Sequence, residues 1–217
     1  MNHRLHVCPM DSWNKGIAHI ITTLVSNGMT RESKVLDVGC GCLRLGKPLI
    51  ELLDRNCYAG VEPCVSVLHD GITEELGEAE LLRKNPVFLY SPEFDFTPLR
   101  GPFTHVLAND LFIHCGERQF RLFLERVAGV VDRNSKIIVT ANIGRNDKDI
   151  DKASHFNTPE EKGTTNRFLY AHADNNTTIY SMERFSRAVS DHGFVLKSLS
   201  EFPREAYTKH TFLIQYE

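Results

Sequence analysis

Short runs of consecutive apolar residues alternate with stretches in which apolar residues recur every three or four positions. The first pattern suits a strand buried on both faces and the second a helix with one inner face. Trp13, Ile17, Ile20, Ile21 and Leu24 predict a helix from Asp11 to Asn27, capped by Asp11 or Ser12 and ended by Gly28. Lys34 to Cys40 predicts a strand, and Leu45, Leu49, Leu52 and Leu53 place a helix over Arg44 to Leu53. Cys57 to Val61 is a second strand, followed by a helix over Ser66 to Arg83 with Leu68, Ile72, Leu76 and Ala79 turned inward. Val87 to Tyr90 and Phe103 to Asn109 are the third and fourth strands. A helix over Glu117 to Val131 then leads to a fifth strand, Lys136 to Ala141. Strands alternating with helices imply parallel pairing through right-handed crossovers, hence a layered α/β sheet.

That rhythm stops after Ile143. Gly144 to Thr178 is polar, rich in Asp, Asn, Lys and Thr, with Phe156, Phe168 and Tyr170 scattered through it. Its length points either to a lid over a site or to a surface loop. A helix over Ser181 to His192, ended by Gly193, and strands at Phe194 to Ser200 and Thr211 to Tyr216 close the chain. The organisation is therefore one domain over 1–217: a helical cap at 1–33, a core at 34–142, an insertion at 143–180, and a closing helix and strands at 181–217.

A net charge of −3 offers no field to draw in a nucleic-acid backbone. No apolar run approaches bilayer-spanning length. The six cysteines, several inside strand-like runs, read as reduced thiols of a cytoplasmic protein rather than a disulfide framework.

The most informative segment is Asp37-Val38-Gly39-Cys40-Gly41-Cys42. Glycines after a buried strand allow a tight turn and close approach of a ligand to the backbone. By themselves two glycines mark no more than a strand-to-helix turn. Glu62, closing the next strand, shifts the balance, since a carboxylate there can accept both hydroxyls of a ribose. The dinucleotide fingerprint would need glycine at position 44, where this chain has Arg44, and that argues against an NAD-dependent oxidoreductase. No phosphate-binding G-x-x-x-x-G-K-[ST] loop occurs either.

Val35-Leu36-Asp37-Val38-Gly39-Cys40-Gly41 resembles the first motif of the class I S-adenosylmethionine-dependent methyltransferases. Glu62, in Tyr58-Ala59-Gly60-Val61-Glu62, matches the acidic end of their second strand, and Phe103-Thr104-His105-Val106 through His114 echoes their fourth-strand region. The resemblance spans Val35 to Ala141. It implies a Rossmann-like, mostly parallel seven-stranded sheet with helices on both faces and an antiparallel C-terminal edge. It also implies S-adenosylmethionine as cofactor. Asp37 would then serve the methionine amino end, Gly39, Cys40 and Gly41 would line the loop, Glu62 would hold the ribose, and Asn109 would face the methionine moiety. Leu43 stands where many members have a third glycine, Thr104 replaces their usual aspartate, and Tyr90 to Asp95 offers no obvious acid for an adenine.

Arg44 is either a partner for the cofactor carboxylate or a solvated surface arginine. A sulfonium methyl is already activated, so the protein must align a nucleophile and sometimes remove a proton. His114, just past the fourth strand, is the candidate base; the plainer reading has it packed against the next helix and bonded to a carbonyl. Asp110 is a weaker candidate, more simply a capping group. His3, His6 and Cys8, and the Cys40-x-Cys42 pair, lack the paired spacing of zinc sites, so no metal is expected.

Enzymes of this fold that methylate nucleic-acid amino groups carry N/D-P-P-F/Y after the fourth strand, where this chain has Asn109-Asp110-Leu111-Phe112. With the near-neutral charge, that favours a small-molecule O or N acceptor over DNA or RNA, covered jointly by the polar insertion and the Trp13 helix. A homodimer stays open. The alternative reading is a non-catalytic, methyltransferase-like binding or partner subunit.

Overall fold

In the computed structural model the described residues are 4, 13–145, 178–204 and 207–217. The central apolar runs form strands buried on both faces: β1 (Val35–Val38), β2 (Tyr58–Glu62) and β4 (His105–Ala108) contain no exposed residue. β3 (Val87–Tyr90) lies at one edge and is half exposed. β5 (Lys136–Gly144), β6 (Phe194–Pro203) and β7 (Tyr207–Tyr216) complete a single seven-stranded sheet in the order β3-β2-β1-β4-β5-β7-β6. β1 pairs in parallel with both β2 and β4, and β7 runs antiparallel between β5 and β6. The Rossmann-like sheet with an antiparallel C-terminal edge is therefore observed. The strand order reverses at β1 and β4, where open sheets of this kind place ligands outside their carboxyl ends.

Helices cover both faces. On one side α1 (Ile17–Ser26) and α2 (Gly46–Leu52) enclose Ile20, Leu24, Val35, Leu49, Leu107 and Ile138. On the other, α5 (Glu117–Val127) and α6 (Met182–Asp191) enclose a phenylalanine-rich layer. Phe120 stacks on Phe185 at 4.2 Å and Phe185 on Phe212 at 5.1 Å, welding both helices to β7. Such aromatic pairs contribute about 0.5–1.5 kcal/mol each beyond the area they bury. Ser181 caps α6 by accepting the Arg184 N–H.

Several boundaries differ from the sequence expectation, each for a local reason. α1 begins only at Ile17, after a left-handed Gly16, so Trp13 precedes the helix; Asp11 and Ser12 lie outside the described residues. The expected Ser66–Arg83 helix is three pieces: α3 (Val65–Asp70), a π-helical continuation (Gly71–Leu76) and α4 (Glu78–Lys84). Gly77, with φ 77°, separates the last two, and Ala79 is exposed rather than inward. α5 stops at Val127, four residues short of the Val131 expected from periodicity. β5 and β7 are longer than their apolar runs because pairing continues through Asn142↔Lys209 to Gly144↔Tyr207. Of the 143–180 insertion, 146–177 lies outside the described residues; its return is pinned by Tyr180 N–H to Asn142 O and Thr178 N–H to Ile113 O.

Candidate cofactor and acceptor site

β1 delivers Asp37 to the carboxyl end of the sheet on the face shared with Val35 and Tyr58. The carboxyl is 2% exposed and accepts the Tyr58 hydroxyl at 2.8 Å. Burial pushes its pKa up to about 7, against the lowering effect of the Tyr58 bond, and nearby Glu62 raises it further. A buried carboxyl at a strand end with only one neutral donor is poised for a cation.

The glycine loop turns directly after β1. Gly39 and Gly41 have φ of 76° and 54°, a conformation that costs side-chain-bearing residues energy. Leu43 also takes a positive φ, 63°. The backbone thus keeps a glycine-like turn at the position where a leucine stands, and the strain is offset by complete burial of that side chain. Gly39 and Cys40 both donate to Val61 O, at 2.8 and 3.1 Å, anchoring the loop to β2. Cys40 lies buried beneath, with its thiol pushed well above the usual range by desolvation.

Glu62 ends β2 and turns back on the loop. One oxygen accepts Gly41 N–H and the other Cys64 N–H, both at 3.0 Å. Burial raises its pKa while these two backbone bonds pull it down. Each carboxylate oxygen retains a second lone pair. Next to it, Val38, Gly39, Val61, Pro63, Pro92 and Leu111 line a small, largely apolar recess.

Gly46 is a site residue that the sequence reading did not single out. A Cβ there would stand 2.5 Å from the Tyr58 hydroxyl and 2.8 Å from Leu43. It gives the close helix–strand approach for which a dinucleotide site uses its third glycine, but two positions later than position 44. The spacing Gly39-x-Gly41-x-x-x-x-Gly46 was the available signal.

Arg44 sits in the turn before α2, not in its first turn, and donates to the carbonyls of Trp13 (2.6 Å) and Lys15. Its guanidinium ties down the N-terminal segment, an arrangement different from both sequence readings. Trp13 is buried against Cys42, Cys64 and Val67, beside the glycine loop.

Across the β1/β4 junction, Asn109 follows β4 and is half-buried. Asp110 takes φ 56°, its N–H donates to Thr140 Oγ1 at 2.7 Å, and Thr140 Oγ1 donates back to its carboxylate at 3.2 Å. Lys209 of β7 forms an ion pair with the same carboxylate oxygen. Leu111 brings this loop against the glycine turn, its Cδ1 being 3.0 Å from where a Gly39 Cβ would stand. His114 is half-buried in the following turn, its N–H donating to Leu111 O. The structure therefore gathers Asp37, Gly39, Cys40, Gly41 and Glu62 into one cradle and sets Asn109, Asp110 and His114 on the adjoining loop.

No family model and no curated protein matches the sequence. Solved structures do match by fold. The chain has the fold of the class I S-adenosylmethionine-dependent methyltransferases. Magnesium protoporphyrin IX methyltransferase (ChlM) from Synechocystis PCC 6803, solved with bound S-adenosylmethionine, superposes with a TM-score of 0.64 at 15% identity, over 94% of this chain and 79% of that one. The mitomycin 7-O-methyltransferase MmcR gives 0.61 at 13% identity, over 93% of this chain and 54% of that one. The glycopeptide N-methyltransferase MtfA gives 0.60 at 12% identity, over 93% and 90%. Within this shared fold, the cradle lies at the carboxyl ends of β1 and β2. Among the described residues no helix is long and apolar enough to cross a membrane, and no three His, Cys, Asp or Glu side chains group as a metal site.

Proposed function

We propose that this protein is an S-adenosylmethionine-dependent methyltransferase acting on a small-molecule O or N acceptor. The observation that carries this reading is the pairing of two buried carboxyls, Asp37 and Glu62, on either side of a glycine loop at the β1/β4 switch point. The residues present fit the cofactor. Asp37 offers a buried anionic partner for its ammonium group, and the spare lone pairs of Glu62 suit two vicinal ribose hydroxyls. The recess between Val61, Pro63 and Pro92 suits an apolar ring face.

When bound, S-adenosylmethionine supplies a methyl group on a positively charged sulfur, already activated toward a nucleophile. What remains for the chain is positioning. The Gly39–Gly41 turn gives close backbone approach, Tyr58 and Glu62 hold the cradle before any ligand arrives, and Leu111 packs the Asp110 loop against the Gly39 turn. Asn109, Asp110 and His114 lie on that same loop, where an acceptor would meet the methyl. The fold relatives solved with bound S-adenosylmethionine, its product or sinefungin add support.

Calorimetric titration with S-adenosylmethionine and S-adenosylhomocysteine, with NADH as control, tests the reading. Micromolar binding of both, lost in Asp37→Ala or Glu62→Ala, is the expected result. A folded wild-type protein that binds neither would sink it.

A further inference from the structure

The acceptor side holds a polar cluster that the cofactor reading does not use. Thr140 and Asn142 of β5 share one face, because residues two apart on a strand do. Asn142 is directly opposite Lys209 in the β5–β7 ladder. The same face meets Asp110, bonded to Thr140 and paired with Lys209. The Asn142 side chain is only 2% exposed, and its Oδ1 has no hydrogen-bond partner among the described residues. Buried carbonyl oxygens are nearly always satisfied, so this one marks a place where a donor is missing. Asp110 is held in a left-handed conformation, the sort of backbone outlier that clusters at ligand sites. Lys209 and Asp110 are themselves half-buried, with side chains 27% and 32% exposed.

We infer that Asp110, Lys209 and Asn142 form the acceptor subsite, and that it selects an oxygen acceptor of the phenol class bearing a second hydrogen-bond donor. This rests on the methyltransferase reading above and narrows its acceptor. Both contacts to Asp110 fall on Oδ1, leaving Oδ2 to take a proton. An ammonium has three N–H donors, so Lys209 can hold Asp110 and also donate to an acceptor oxygen. A phenol oxygen both donates and accepts, matching this pair. An aryl amine nitrogen accepts poorly, and in methyl transfer it gains positive charge beside the lysine, which is repulsive. The second donor of the acceptor satisfies Asn142 Oδ1.

The step balances. The acceptor oxygen forms its bond to the methyl carbon, the carbon–sulfur bond breaks with its electron pair left on sulfur, and the hydroxyl proton passes to Asp110 Oδ2 and on to solvent.

The test compares catechol and phenol with aniline, each titrated by ligand-observed NMR onto the full chain in the presence of S-adenosylhomocysteine. Methylation with labelled S-adenosylmethionine is read in parallel. Expected are tighter binding of catechol than phenol, aniline at least tenfold weaker than phenol, and Lys209→Gln weakening phenol about tenfold while leaving aniline unmoved. Asn142→Leu, of similar volume, should erase the catechol advantage. Asp110→Asn, which tolerates the left-handed backbone, should lower methylation far more than His114→Gln does. Circular dichroism confirms that each variant is folded. Aniline binding as well as phenol, no binding of either hydroxyl probe, an unchanged phenol affinity in Lys209→Gln, or a larger loss from His114→Gln each overturns the inference. If S-adenosylhomocysteine itself fails to bind, the methyltransferase reading falls instead, and the two failures are told apart by that single titration.

Discussion

The carboxyl ends of β1 and β2, and those of β4 and β5 with the amino end of antiparallel β7, lie along the same edge of the sheet but are built differently. On the first side each polar group already has a partner: Asp37 has Tyr58, Glu62 has the Gly41 and Cys64 amides, and Val61 O takes two loop N–H groups. On the second, Asn142 Oδ1 is buried without a partner among the described residues, and Asp110 and Lys209 are half open to water. The first side is braced before any ligand arrives, which suits the proposed cofactor cradle. The second keeps one unsatisfied buried oxygen and a half-exposed ion pair, the arrangement the proposed acceptor subsite would use to discriminate between ligands.

Four measurements would break or sharpen that contrast. The largest effect is expected from Glu62→Ala. It removes the two proposed ribose contacts and the bond that positions Gly41, so S-adenosylhomocysteine affinity should fall at least about a hundredfold, since hydrogen bonds to charged groups contribute about 1.5–3 kcal/mol each. An affinity within threefold of wild type would show that Glu62 only braces the loop.

Asp37 comes next, through pH. Its folded pKa is raised from 3.8 to about 7, so between those values the folded chain keeps a proton that the unfolded chain has released. Stability of the ligand-free protein should therefore fall as pH rises through that window, by on the order of a few kcal/mol. Cofactor affinity should rise over the same range, as ionised Asp37 gains a cationic partner. Asp37→Asn should flatten both trends in urea unfolding and calorimetry; slopes that survive the substitution would assign them to another group.

Gly46→Ala tests the preformed cradle by packing alone. Its Cβ would meet the Tyr58 hydroxyl at 2.5 Å and Leu43 at 2.8 Å. Overpacking of this kind costs about 1–3 kcal/mol, and for a domain of this size each kcal/mol lowers Tm by roughly 2–4 °C. A melting temperature equal to wild type would mean that α2 can shift freely. The smallest effect is expected from Arg44→Met, which loses the bonds to the Trp13 and Lys15 carbonyls. It should cost about 1 kcal/mol in denaturant unfolding and speed proteolysis before Trp13. A stronger effect on cofactor affinity than on stability would favour the carboxylate-pairing alternative that the sequence left open for Arg44.

Much of this protein was legible in its order of residues. Apolar runs such as Val35–Val38 and His105–Ala108 are strands because only a pairing surface buried on both sides accepts them, and the alternation with helices dictates parallel crossovers. Asp37, Gly39, Gly41 and Glu62 were legible because they lie on two adjacent strand ends, where local sequence specifies position. Helix ends were less so: periodicity cannot reveal that Gly77 breaks the third helix or that Gly16 delays the first. The polar cluster proposed as the acceptor subsite was decided by tertiary structure. Asp110, Asn142 and Lys209 are 32 and 67 residues apart along the chain. They meet only because β7 inserts antiparallel beside β5 and sets Lys209 opposite Asn142. Register between distant strands depends on the whole sheet's packing, so no local pattern announces it. The same holds for Tyr58 and Gly46: the folded helix and strand come so close that a Cβ on Gly46 would stand 2.5 Å from the Tyr58 hydroxyl.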